Sequence, residues 1–254
     1  MATASSIGGA VVTGGAKRMG RAIALGLAKH GYDVAVHFHR SKTEAEDVVR
    51  EIEALGRRAI AIKADLSKEA ETSTLIARAA AVAPLRLLVN CASVFQTDDI
   101  DTMTRASYDA HMETNLRAPL KLIQDFARAA SPGDNLVVNI LDQRVLKPTP
   151  QFLTYTLSRM ALYSLTRTLA QALGPSGIRV NAIGPGPTLR NARQSEADFR
   201  KQADATVLKR GSTPDDFVAA ILYLAGARAV TGQMIAVDGG QHLIWETPDV
   251  LAKE

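Results

Sequence analysis

The chain has 254 residues, 46% apolar and 22% charged, with a formal net charge of +4, which suits a globular domain with a sizeable core and argues against a disordered or fibrous protein. No stretch approaches the about 20 apolar residues of a membrane span, and no block of like charge marks a nucleic-acid tail. The single cysteine, Cys91, has no partner for an internal disulfide, and the first residues lack the basic segment and long apolar run of a secretion signal, so a reducing, cytoplasmic setting is expected.

Short runs rich in valine and isoleucine alternate with longer amphipathic stretches. Strands are expected at 10–13 (AVVT), 33–38 (DVAVHF), 59–64 (AIAIKA), 86–90 (RLLVN), 135–140 (NLVVNI), 178–183 (IRVNAI) and 233–238 (QMIAVD). Helical patterns between them include 21–30, 45–56 and 72–83, with Gly31 and Gly56 where helix C-caps fall. Continuous apolar strands separated by helices imply a seven-stranded parallel sheet covered on both faces. The expectation is one doubly wound α/β domain of Rossmann type spanning 1–254. The polar region 186–212 breaks the alternation and is expected to be a substrate-covering insertion, the alternative being a surface excursion. Tyr155 and Arg159 lie four apart in a segment that, taken alone, is an ordinary amphipathic helix.

The turn VVTGGAKRMGRAIA runs from the first strand into the first helix, with Gly14, Gly15 and Gly20 where a backbone must bend tightly and admit a pyrophosphate to the helix N-terminus. About twenty residues on, where an acid would bond the ribose hydroxyls of NAD, the chain offers His39, Arg40 and Ser41 and no carboxylate. Arg40 and the serine hydroxyl suit a 2′-phosphate, and Arg18 lies within reach of the same place, so NADP(H) is the expected cofactor. Asp65 and Asn90 follow the third and fourth strands, at the end of the sheet where ligands bind, although either could equally cap a helix or form a turn.

Together these pieces resemble the short-chain dehydrogenase/reductase family over nearly the whole chain. Thr13, Gly14 and Gly20 match its T-G-x-x-x-G-x-G turn, with Arg18 at the middle glycine. The resemblance assigns Met19 and the Asp65–Leu66 pair to the cofactor. It also assigns Asn90, Ala92 and Ser93 from "NCAS", and Pro185, Gly186 and Thr188 from "GPGPT". Asn115 in "METNLRAP" resembles the family's structural and catalytic asparagine. Its Y-x-x-x-K motif is matched by Tyr155, but Arg159 stands in place of lysine and Asp142 in place of a serine thirteen residues upstream. The "HxHRS" element (His37, His39, Arg40, Ser41), Asp142 and an aromatic, Phe95, after "NCAS" resemble one branch, the pteridine reductases and related dihydromonapterin and dihydrofolate reductases.

That resemblance implies hydride transfer from NADPH to a pterin or folate ring, with Tyr155 as proton donor, Arg159 and Asp142 at its side, and Phe95 stacked on the ring. A cation about 4 Å from the phenol contributes roughly 4 kcal/mol at an effective dielectric of 20, and a third of that lowers its pKa by about one unit. Arginine supplies this field but cannot pass on a proton. Asp142 could instead be a turn-capping aspartate, Phe95 a core residue, and Arg190 and Arg193 either a solvated surface or contacts for a carboxylated substrate tail. The rival activities are a generic 3-oxoacyl-type carbonyl reductase and a turnover-impaired NADP-binding regulatory protein. Trp245 and the apolar tail 241–254 suggest a subunit interface, and the family suggests a homotetramer. No metal, nucleic acid or membrane partner is expected.

Overall fold

The structure, a computed structural model, describes residues 6–190 and 194–247. In chain order the elements are β1 (Gly8–Val12), α1 (Arg18–Lys29), β2 (Tyr32–Phe38), α2 (Lys42–Ala54), β3 (Ala59–Lys63), α3 (Glu69–Ala80) and β4 (Leu85–Asn90). Then come α4 (Arg105–Met112), α5 (Ala118–Ala129), β5 (Asn135–Ile140), α6 (Leu153–Leu173), β6 (Ile178–Pro185), α7 (Glu196–Asp204), α8 (Pro214–Gly226) and β7 (Met234–Val237). The strands form one parallel sheet in the order β3-β2-β1-β4-β5-β6-β7. Strand order reverses between β1 and β4, so a crevice opens beyond the carboxyl ends of those two strands, the place where such sheets bind ligands.

Alternation along the strands divides the core in two. Ala10 and Val12 of β1, Val34 and Val36 of β2, and Leu87 and Val89 of β4 pack against Ile23 and Leu27 of α1, Val48 and Ile52 of α2, and Phe217 and Ile221 of α8. The intervening Val11, Ala35 and Leu88 face the other way, onto Leu75 and Ile76 of α3, Leu122 and Phe126 of α5, and Ala170 of α6. Both faces of each central strand are thus buried, which is why these strands lack polar alternation.

The expected strands are all present, and the differences lie at the ends. β1 starts at Gly8, two residues before the valine-rich run, because Gly8 and Gly9 pass so close to β4 that a side chain at Gly8 would strike Arg86. Glycine is a weak strand signal, so the sequence pattern misses this entry. The helix expected at 72–83 begins at Glu69, its first turn bearing Glu69 and Glu71, which suit a helix N-terminus but carry no apolar periodicity. Within 186–212 lies α7, capped by the Ser195 hydroxyl accepting from the Asp198 N–H at 3.0 Å and burying none of its residues. A single π turn, Glu113–Arg117, joins α4 to α5; such turns concentrate at functional sites.

Candidate active site

The crevice is framed by hydrogen bonds that tie the strand ends together. The Thr13 hydroxyl accepts from the Cys91 and Ala92 N–H groups at 2.9 and 3.0 Å, clamping the end of β1 to that of β4. His37, 2% exposed, accepts the Gly14 N–H at Nδ1 (3.0 Å) and bonds the Ala64 carbonyl through Nε2 (3.0 Å). These partners make it a neutral ring protonated on Nε2, and burial pushes its pKa down to about 4. His37 therefore serves the glycine turn from behind.

In that turn Gly14 has φ +66° and lies so close to Ala92 that an added Cβ would sit 3.1 Å from the Ala92 Cα; one at Gly20 would collide with the Gly14 carbonyl. Arg18 takes the left-handed conformation (φ 53°) at the position where the family turn carries a glycine. Its guanidinium crosses the crevice and donates to the Arg190 and Leu189 carbonyls at 2.8 and 2.9 Å. Although expected at the 2′-phosphate, Arg18 here straps the glycine turn to the segment after β6.

A cleft of about 740 Å³ follows the glycine turn, lined by Gly14, Arg18, Met19, Gly20, His39, Arg40, Ser41, Asp65, Leu66, Ala92 and Ser93. Among the described residues Arg40 has no ion-pair partner. Asp65 accepts from the Ser67 hydroxyl and N–H at 2.7 and 3.0 Å and sits 3.7 Å from both His39 and Lys68, so it shapes the turn after β3 as well as lining the cleft. Those bonds, the Ser67 hydroxyl's first, hold its carboxyl below the usual range. The cleft thus ends in a cationic corner fit for a phosphate.

A second cleft of about 570 Å³ shares Arg18, Met19, Cys91 and Ser93 with the first, so the two form one trench. Its walls include Phe95, Asp142, Arg144, Phe152, Tyr155, Arg159, Pro185, Gly186 and Thr188. The Tyr155 O–H donates to Asp142 Oδ2 at 3.0 Å. Asp142 Oδ1 accepts the Arg144 N–H at 2.9 Å, capping the 3₁₀ turn Gln143–Val145. Asp142 thus meets the phenol with one oxygen and caps a turn with the other. Arg159 is 2% exposed, with its guanidinium carbon 5.3 Å from the centre of the Tyr155 ring.

Arg159 lowers the Tyr155 pKa, as expected, but the net shift is upward. Burial and the Asp142 carboxylate raise the Tyr155 pKa above its usual value, and Arg159 offsets only part of that rise. The phenol is held as a protonated donor. Arg159 itself buries Nε and Nη1 without a hydrogen-bond partner. Such donors are costly when unpaired.

Two expected site residues have side chains that do not line the trench. Asn90, 2% exposed, donates to Asn139 Oδ1 at 2.9 Å, and Asn139 in turn donates to Thr166 of α6. Asn115, fully buried in the π turn, accepts the Val94 N–H at 2.8 Å and donates to the Val94 carbonyl (2.9 Å) and Ser158 Oγ (3.2 Å). Both side chains brace the site from within. Phe95 lines the cleft edge-on to Tyr155, centroids 4.7 Å apart, but one face is already stacked at 4.5 Å on Phe152, which the sequence reading missed. Arg144, also missed, lies over the far face of Phe152 at 4.8 Å. Neither had a motif to announce it; only their nearness to Asp142 and Tyr155 could have drawn attention.

Thr188 is bonded to Ser212 at 2.7 Å, closing the base of the 186–212 excursion. The Arg190 guanidinium donates to the Gln194 carbonyl at 2.7 Å, and Arg193 lies outside the described residues. Burial pushes the Cys91 thiol up to about 12, which makes it an inert wall residue. Among the described residues no cluster of three His, Cys, Asp or Glu side chains could hold a metal, and no helix is long and apolar enough to cross a membrane.

The doubly wound sheet, glycine turn and tyrosine-bearing helix define a dinucleotide-dependent oxidoreductase architecture. The family model described as enoyl-(acyl carrier protein) reductase matches residues 14–242, and the chain belongs to the short-chain dehydrogenase/reductase family. A 3-oxoacyl-[acyl-carrier-protein] reductase FabG of Staphylococcus epidermidis is 31% identical over 240 residues, covering 92% of this chain and 98% of that one. Two crystal structures of FolM alternative dihydrofolate reductase 1 with NADP are each 46% identical. The one from Brucella suis covers 98% of this chain and 99% of its own with a TM-score of 0.92; the one from Brucella canis covers 96% and 98% at 0.90.

Proposed function

We propose that the protein is an NADPH-dependent reductase of a pterin-type ring, dihydropterin, biopterin or dihydrofolate. The observation that carries this reading is the Tyr155 phenol donating to a carboxylate, Asp142, in a cleft walled by Phe95 and Phe152. A simple carbonyl needs one neutral donor, whereas the amino and ring-nitrogen groups of a pterin offer partners to a carboxylate as well. The 46% identity to the FolM reductases supports the same choice.

NADPH supplies the hydride to a ring carbon when bound. Arg40 and Ser41 would hold its 2′-phosphate and the glycine turn its pyrophosphate, while the unpaired donors of Arg159 would take the ribose nearest the reacting end. Tyr155 gives its proton to the ring nitrogen beside the reduced carbon. The Arg159 guanidinium stabilises the phenolate left behind. Asp142, at 3.0 Å, is the group through which a proton returns to it.

The identity to FabG favours a second reading, reduction of a 3-oxoacyl-type ketone. NADPH oxidation with biopterin, dihydrobiopterin, dihydrofolate and an acetoacetyl thioester separates the two. Turnover confined to the pterins and folate supports the proposal, and thioester turnover alone overturns it. Asp142→Ser should lower pterin reduction by at least about tenfold more than ketone reduction, since it removes a charge-assisted partner that only the pterin uses. We also propose a homotetramer, supported by two apolar surfaces, Leu157 and Met160 on α6 and Leu243 with Trp245 after β7, all between 42% and 60% exposed.

A further inference from the structure

We propose that Asp98 is a positioning residue for the proton donor, capping the tyrosine-bearing helix from a separate loop. α6 begins without a cap of its own. Its N-cap residue is Phe152, in the left-handed conformation (φ 57°, ψ 48°) and with no side-chain bond to the first turn. A phenyl group cannot accept from the exposed N–H groups of a helix start, and a left-handed phenylalanine is strained. The missing cap is supplied by Asp98, from the loop that follows β4. Its carbonyl accepts the Leu153 N–H at 3.2 Å, and its carboxylate accepts the Thr154 N–H at 3.1 Å and the Thr154 hydroxyl.

The link continues to a third element. Thr154 Oγ1 accepts from His111 Nδ1 of α4 at 2.7 Å, and His111 Nε2 accepts the Gln96 N–H of the same loop at 3.1 Å. The partners fix a neutral imidazole protonated on Nδ1. Asp98, Thr154 and His111 are each no more than 2% exposed. Thr154 stands between the acid and the base and donates to the acid, so the set is not a nucleophilic triad; it is a brace. Burial alone would raise the Asp98 carboxyl, but the Thr154 bonds outweigh it and hold the group ionised, with its negative charge at the positive end of α6.

What the brace joins is the two walls of the substrate cleft. The loop carries Phe95 and the helix start carries Phe152 and Tyr155, and these three rings meet at 4.5 and 4.7 Å. Tyr155 is the residue after Thr154, so the direction of the phenol is set where Asp98 grips. Asp98 lines neither cleft; it acts through Tyr155, and in this it rests on the reading of Tyr155 as proton donor.

The test is Asp98→Ala in the full chain, read by amide hydrogen exchange of residues 153 and 154 and by steady-state kinetics with any substrate the unaltered enzyme reduces. Expected are exchange at least about fivefold faster, as for loss of an N-cap, and kcat at least about tenfold lower with NADPH affinity within about threefold. Asp98→Asn, which keeps an oxygen for the Thr154 N–H, should restore kcat to within about threefold. Unchanged exchange overturns the proposal, as does faster exchange with unchanged kcat, or parallel loss of kcat and NADPH affinity. Should Asp98→Ala not fold, Thr154→Val removes the bridging hydroxyl alone; unchanged kcat in that variant overturns the proposal too. Faster exchange and lower kcat in an enzyme that reduces only ketones would leave the brace standing and remove the pterin reading.

Discussion

Arg159 carries the most instructive energetics of any single residue here. Two of its donors are buried without partners, a state that costs about 1–3 kcal/mol per group. The ligand-free protein therefore holds a strained charge that a ribose can relieve. Arg159→Ala should leave the melting temperature of the free protein unchanged or slightly higher, while cutting the stabilisation conferred by saturating NADPH and weakening NADPH binding about tenfold or more. Thermal melts with and without NADPH check this; a lower melting temperature without ligand would show that Arg159 is a structural residue. Arg159→Lys should keep the NADPH-induced shift. If lysine instead brings turnover to a silent enzyme, the native chain is the regulatory protein considered from sequence. At this scale Tyr155 and Arg159 were legible because a spacing of four places them on one helix face, and Asp142 because a family motif puts a site residue thirteen positions upstream. The sign of the phenol's shift was not, since it depends on burial and on the carboxylate at 3.0 Å.

Elements are joined at this site by buried polar groups, and one of them makes stability depend on pH. His37 spans from β2 to the glycine turn and to the end of β3. Its pKa falls from about 6.5 in the unfolded chain to about 4 in the folded one. Between those values the unfolded chain binds the extra proton, so this contribution is complete above about pH 6.5 and is lost as pH falls toward 4. At about 1.4 kcal/mol per unit the loss reaches about 3 kcal/mol. Urea midpoints should drop over that range in the unaltered protein and drop less in His37→Asn, whose side-chain oxygen can still accept the Gly14 N–H; equal slopes would refute the assignment. The sequence grouped His37 with the cofactor-binding "HxHRS"; both histidines border the cleft, but His37, near the end of β2, is buried and spent on backbone bonds, while His39, past the strand end, is exposed. Asn90 was likewise placed at the right strand end, while Asn115 was found only through its resemblance to a family asparagine. Periodicity locates an element but not the hydrogen bonds a side chain makes across elements, which is why both proved to be braces.

Among the described residues, exposed apolar side chains include two pairs suited to the proposed subunit contacts. Leu157 is 46% exposed and Met160 42%, three apart on α6, while Leu243 and Trp245 are 58% and 60% exposed at the other patch. The proposed tetramer requires both patches to be self-complementary, which would give dihedral symmetry. Sedimentation should give about four times 27.1 kDa, and Leu157→Glu with Met160→Glu should reduce the assembly to a dimer held by the second face. A monomer at micromolar concentration would end this proposal. The seven-stranded parallel sheet and its two-layer cover were readable from sequence because short apolar strands alternate with amphipathic helical stretches. The Phe95–Phe152–Arg144 stack was not, because it is built by two loops that meet only in the fold. The same division of the core sets a rule for how this protein can change. Val11 and Val12 serve opposite sides of the sheet, so one residue inserted into β1 would send each β1 side chain beyond it to the wrong interior. The central strands act as a fixed ruler with no free edge for drift, and new specificity must be written in the loops beyond their ends.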